Sequence, residues 1–101
     1  MPIRSPKYRL TRAMVNGAPA EPGIYALWED DELIYLGRAS ATATIRERLG
    51  EHLTRSVCPC AENATHYSWE LALRPATREL EILQELLMRD GRLPRCNQDA
   101  A

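Results

Sequence analysis

Two short runs of apolar and aromatic residues, 23–29 (GIYALWE) and 32–37 (ELIYLG), stand on either side of the acidic pair Asp30-Asp31. Runs of this length, rich in Ile, Tyr, Leu and Trp, read as the two strands of a β-hairpin. Asp-Asp is not among the favoured hairpin dipeptides, so the turn leaves the register open. The register decides a specific point. Tyr25 and Tyr35, ten residues apart, share one face of the sheet only if the loop has an odd number of residues; a two-residue loop sends them to opposite faces. The bland reading is two tyrosines chosen for β-propensity.

The rest of the chain is organised around this hairpin. Residues 10–15 form a short helix at most, stopped by Asn16-Gly17, and Ala18-Pro19-Ala20-Glu21-Pro22-Gly23 breaks regular structure. Thr44-Ile45-Arg46-Glu47 fits a capping box, in which a Thr hydroxyl and a Glu carboxylate satisfy each other's backbone donors. A helix should follow to about residue 55, then a loop over 56–64. Residues 65–73 alternate, with Tyr67, Trp69, Leu71 and Leu73 on one face and His66, Ser68, Glu70 and Ala72 on the other, the pattern of a half-buried strand. Pro75 opens a second helix that runs to about residue 89 and ends at Asp90-Gly91, before an irregular tail.

The order β-β-α-β-α predicts an α+β domain, a small three-stranded, mostly antiparallel sheet flanked by helices. Residues 23–97 would form it, 1–22 an N-terminal extension that packs on the domain or forms an arm, and 98–101 a tail. The 101 residues suffice for one core.

Composition excludes more than it assigns. No apolar run is long enough to span a membrane and the first residues carry no secretory signature, so the expectation is a cytoplasmic protein. Cys58, Cys60 and Cys96 are odd in number and read as free thiols. Cys58-Pro59-Cys60 is tighter than a zinc knuckle and lacks evident partner ligands. The net charge of −1 is not that of a typical nucleic-acid binder. Basic residues nevertheless cluster at Arg4, Lys7, Arg9 and Arg12, and again at Arg38, Arg46, Arg48 and Arg55, and a local basic face can exist on a neutral protein.

Helical geometry sorts the polar residues. At about 100° per residue, Ile45, Leu49 and Leu53 make the core stripe of the first helix. Arg48 and His52, four residues apart, stack at its rim. A snorkelling arginine and a boundary histidine would look the same. On the second helix Leu80, Ile82, Leu83, Leu86 and Leu87 spread over a wide apolar arc. Glu81 and Glu85 project outside it, whereas Glu79 projects into it. A carboxylate there needs a paired charge or a bound cation, or else it lies in the first turn, in water and favoured by the helix dipole.

These residues together resemble a known family. Gly23-Ile24-Tyr25 and Ile34-Tyr35-Leu36-Gly37 are similar to the signature of the GIY-YIG nucleases, with Leu36 where Ile or Val is usual. Pro22 before the glycine is similar to the opening of the UvrC-type excision-repair members. Arg48-x-x-x-His52 resembles the helix motif of the homing and restriction endonucleases of the family. Glu79 resembles its metal-ligating glutamate, with Glu81 the alternative, and Pro94-x-x-Asn97 its closing motif. Arg38 matches the usual basic residue after the second glycine. The spacings from Tyr35 to Arg48 and from Glu79 to Asn97 are longer than is common. The resemblance runs from Pro22 to Asn97.

That resemblance implies a DNA endonuclease using Mg²⁺ or Mn²⁺. Tyr25 would be the general base, with His52 and Tyr35 orienting it or accepting its proton. Arg48 would hold the scissile phosphate and Glu79 the metal ion, while Asn97 would brace the site. Arg38 and Arg46 would contact flanking phosphates. Specificity would come from a protein partner, a homo-oligomer or DNA structure. The competing expectations are a non-catalytic nucleic-acid- or protein-binding module on the same fold, and a small metal protein built on the cysteines.

Overall fold

The computed structural model describes residues 6–54 and 59–98. The order is β1 (Tyr8–Arg9), α1 (Arg12–Val15), β2 (Gly23–Glu29), β3 (Glu32–Ala39), α2 (Ile45–Thr54), β4 (His66–Leu71) and α3 (Pro75–Asp90), with single 3-10 turns at Pro59–Ala61 and Arg95–Asn97. The strands form one antiparallel sheet in the order β1-β4-β2-β3, so β3 is an edge. The sheet therefore has four strands rather than the expected three. The extra one is β1, whose two residues are too few to show any periodicity in the sequence.

The hairpin resolves the question of the tyrosines. Glu29 pairs with Glu32, so the loop is Asp30-Asp31, and Asp30 takes a left-handed φ of 54° that aspartate tolerates. A two-residue loop alone would separate the rings. The register shifts between Leu27 and Trp28, however: Leu27 faces Tyr35 and Trp28 faces Leu33, leaving Ile34 as the extra residue of a β-bulge. One inserted residue inverts the parity of everything beyond it. Tyr25 and Tyr35 consequently share a face, with ring centroids 6.1 Å apart.

Each face of the sheet has its own core. On one, Tyr25, Leu27, Ile34 and Tyr67 pack with Val15 and Ala18 from the N-terminal segment and Ile45 and Leu49 from α2. On the other, Ile24, Ala26, Trp28 and Leu36 pack against Ile82 and Leu86 of α3. The N-terminal segment is further tied down by Tyr67, whose hydroxyl donates to the Met14 carbonyl at 2.6 Å. Trp28 Nε1 donates to the buried Ser68 hydroxyl at 3.0 Å, which satisfies both polar groups.

The capping box forms as expected: Glu47 N donates to Thr44 Oγ1 and Thr44 N to Glu47 Oε1, both at 3.4 Å. α3 begins at Pro75 and is closed by Gly91 at φ 76°. Leu71, Leu73, Leu80 and Leu87, assigned to apolar faces from the sequence, are instead exposed. Among the described residues β1 pairs with Tyr67 and His66. α3 buries one narrow stripe, and its outer leucines fall beyond it.

The cysteines also differ from expectation. Cys60 and Cys96 are not free thiols; they form a disulfide, with Cα atoms 5.5 Å apart across 36 residues of sequence. It joins the two 3-10 turns. Sequence spacing carries no signal for such a long-range pair. Cys58 and Arg55 lie outside the described residues.

Candidate active site

β3 is the edge strand, so its two faces meet along an open rim. α2 covers one face and α3 the other. Where they converge lies a cleft of about 400 Å³ lined by Tyr25, Tyr35, Arg38, Arg48, Glu51, His52 and Glu79. Gly37 makes this possible. It pairs with Tyr25, and a Cβ at Gly37 would lie 2.5 Å from Tyr25 Cζ and 2.6 Å from its Oη. The phenol lies directly over the glycine, where no side chain fits.

From α2, His52 meets both phenols, with ring centroids 5.7 Å from Tyr25 and 5.9 Å from Tyr35. Tyr25 Oη and His52 Nε2 are 3.3 Å apart, a hydrogen bond whose direction follows the imidazole tautomer. Burial, and then the neighbouring Tyr35, hold the Tyr25 phenol above its ordinary value, against the pull of Arg48. Burial lowers the His52 imidazole; Glu51 raises it and Arg48 lowers it further. Both rings are therefore neutral near pH 7.

Arg48 Nη1 donates to Glu51 Oε1 at 3.3 Å. Its Nε is buried without a hydrogen-bond partner among the described residues. An orphaned guanidinium donor beside a cleft is suited to an anionic oxygen. Glu79 comes from α3, with its side chain only 22% exposed and Oε1 3.8 Å from Arg38 Nη1. Burial raises its carboxyl above the usual range, and Arg38 lowers it only in part. Glu81, the alternative ligand, is exposed, pairs with Arg78 at 3.3 Å and does not line the cleft.

Two expected residues stand outside the cleft. Asn97 Oδ1 accepts from Leu36 N at 2.8 Å and its Nδ2 donates to Leu36 O at 2.9 Å. It thus completes the hydrogen bonding of the edge strand between Tyr35 and Gly37. Arg46 donates through Nε to the Ala18 carbonyl at 2.8 Å, which pins the N-terminal segment to α2. Glu51 was missed in the sequence, although its position three residues after Arg48, beside His52, could have flagged it. A larger hollow of about 730 Å³ lies at the other end of β3, lined by Trp28, Leu33, Leu86 and Pro94 among others. Its Arg95 is paired with Glu29 and Glu32 and its Arg89 with Asp90.

Among the described residues no three His, Cys, Asp or Glu side chains cluster as a metal cage. A single carboxylate still fits a hard, mostly hydrated divalent ion such as Mg²⁺, which commonly takes one or two protein carboxylates. It does not fit zinc, which takes three or four N or S ligands.

The chain has the GIY-YIG nuclease fold. It is similar to the GIY-YIG N-terminal endonuclease domain of UvrC from Thermotoga maritima, bound to its catalytic divalent cation magnesium. The identity is 22%, the TM-score 0.60, and the match covers 84% of this chain and 92% of that one. A tyrosine-to-phenylalanine point mutant of the same domain matches at 22% identity and TM-score 0.59, and an asparagine-to-alanine mutant at 23% and 0.58; each match covers 84% of this chain and 91% of the other. No protein-family model and no curated protein matches the chain. Among the described residues no helix is long and apolar enough to cross a membrane.

Proposed function

We propose that this protein is a metal-dependent endonuclease that hydrolyses phosphodiester bonds in DNA. The observation that carries this reading is the convergence of Tyr25, Tyr35, Arg48, His52 and Glu79, drawn from β2, β3, α2 and α3, on one cleft. The fold it shares with the magnesium-bound UvrC domain supports the same reading.

Glu79 would hold Mg²⁺ or Mn²⁺, which when bound supplies charge stabilisation for the departing oxygen. This chain's own residues do the rest. Arg48, which lines the cleft with its side chain 41% exposed, turns its guanidinium to the scissile phosphate and stabilises the charge that develops there. A neutral phenol is a weak base, and Tyr25 is held neutral by burial. His52 compensates: its neutral imidazole accepts the Tyr25 proton across 3.3 Å as Tyr25 takes one from water. Tyr35 packs against both rings and fixes their orientation. Glu51 holds Arg48 in place, and Asn97 holds the strand that carries Tyr35. Arg38, on the rim, contacts a flanking phosphate, whereas Arg46 is engaged with the Ala18 carbonyl outside the cleft. A partner protein or a second copy of the chain would supply target choice, since phosphate contacts carry none.

The alternative is a non-catalytic binding module on the same fold, which the net charge of −1 favours. Incubating nicked, branched and supercoiled DNA with Mg²⁺ or Mn²⁺ separates the two. Cleavage by the wild type, with Arg48→Ala lowering the rate by about 10²–10³-fold and Glu79→Ala abolishing it, supports the nuclease. Binding without cleavage supports the module. Equal cleavage by wild type and both variants overturns the assigned site.

A further inference from the structure

Arg38 and Glu79 meet across the rim of β3 from different elements and are unequally placed. Arg38 sits opposite Ile24 near the end of β3, with its side chain 59% exposed, while Glu79 stands near the start of α3 at 22%. Arg38 is the cation that the described residues place within ion-pair distance of Glu79, at 3.8 Å. A partly desolvated carboxylate needs a counter-charge. A long guanidinium, mostly in water, provides one and remains able to swing away. A divalent ion on Glu79 would share those few ångströms with a like charge, and the two would repel.

We propose that Arg38 is a tethered stand-in for the divalent cation: it neutralises Glu79 in the metal-free protein, is displaced when the ion binds, and then becomes free to take a phosphate of the substrate. This rests on the reading of Glu79 as the metal ligand. Two consequences follow. Arg38 weakens metal binding in the absence of DNA, because the ion must first evict it. DNA and metal then favour each other, because each removes the competitor of the other.

Mn²⁺ binding tests this directly, measured as loss of the free-ion electron paramagnetic resonance signal on titrating the full chain, with and without a short DNA duplex. In wild type, E79Q, R38Q and R38K, the expected result is that E79Q loses Mn²⁺. R38Q binds it about three- to tenfold more tightly than wild type, and R38K, which keeps the charge, stays near wild type. The duplex should tighten Mn²⁺ binding in wild type and do so less in R38Q. Unchanged or weaker Mn²⁺ affinity in R38Q, or equal tightening by DNA in both, overturns the proposal while E79Q still identifies the ligand. No Mn²⁺ binding by wild type, or equal binding by E79Q, overturns the reading of Glu79 and the proposal with it.

Discussion

Replacing Gly37 by alanine tests the packing on which the cleft depends. The new methyl would stand 2.5 Å from Tyr25 Cζ, 2.6 Å from Oη and 2.8 Å from Cε1. Carbon pairs rest at about 3.5–4.0 Å, so the ring must retreat by about 1 Å or β2 and β3 must part. The ring has little space, because Tyr25 is 4% exposed and packs against Tyr35 and His52. Overpacking of this kind costs about 1–3 kcal/mol. At roughly 4–8 °C per kcal/mol for a domain of this size, the melting temperature should fall by about 5–20 °C. A retreat of 1 Å also breaks the 3.3 Å contact between Tyr25 Oη and His52 Nε2. The assay is urea unfolding of wild type, Gly37→Ala, Tyr25→Ala and the double variant. Once the ring is gone the methyl should be nearly harmless, giving a coupling of about 1 kcal/mol or more. A Gly37→Ala penalty below about 0.3 kcal/mol, or the same penalty with and without Tyr25, would refute the reasoning.

Asn97→Ala removes two hydrogen bonds to the Leu36 backbone and should cost about 1–3 kcal/mol in denaturant unfolding. Reducing the Cys60–Cys96 bond opens a loop of 36 residues; by loop-closure entropy that removes about 4 kcal/mol, measured as unfolding with and without dithiothreitol. His52 gives a pH signature. Its folded value is lowered by burial, so below the ordinary value of about 6.5 the unfolded chain binds the extra proton and stability falls as pH drops, until the lowered folded value is passed. A His52→Gln variant should flatten the stability profile as the pH falls below about 6.5.

Much of this architecture was legible in the sequence because it is local. The capping box at Thr44 and Glu47, the Pro75 start and Gly91 stop of α3, and the hairpin all depend on neighbours a few residues apart. The helical faces of α2 placed Arg48 and His52 together for the same reason. What could not be read is non-local. The bulge at Ile34 depends on how β2 and β3 twist together, and it reverses the parity that the Asp30-Asp31 loop implies. β1 exists only because β4 offers Tyr67 and His66 as partners. The Cys60–Cys96 bond joins two turns that only the folded chain brings together. Glu79 lies between these cases: its arc on α3 was readable, but not its approach to the rim shared with Arg38.

The central claim is that one cleft presents Glu79 to a divalent ion while Tyr25 and Arg48 face the same space. Anomalous diffraction from crystals soaked in Mn²⁺ measures this without relying on turnover. The expected result is one peak about 2.1 Å from a Glu79 carboxylate oxygen, within the cleft lined by Tyr25, Arg48 and His52. A peak on Glu81 or elsewhere on the surface, with Glu79 still paired to Arg38, would contradict it.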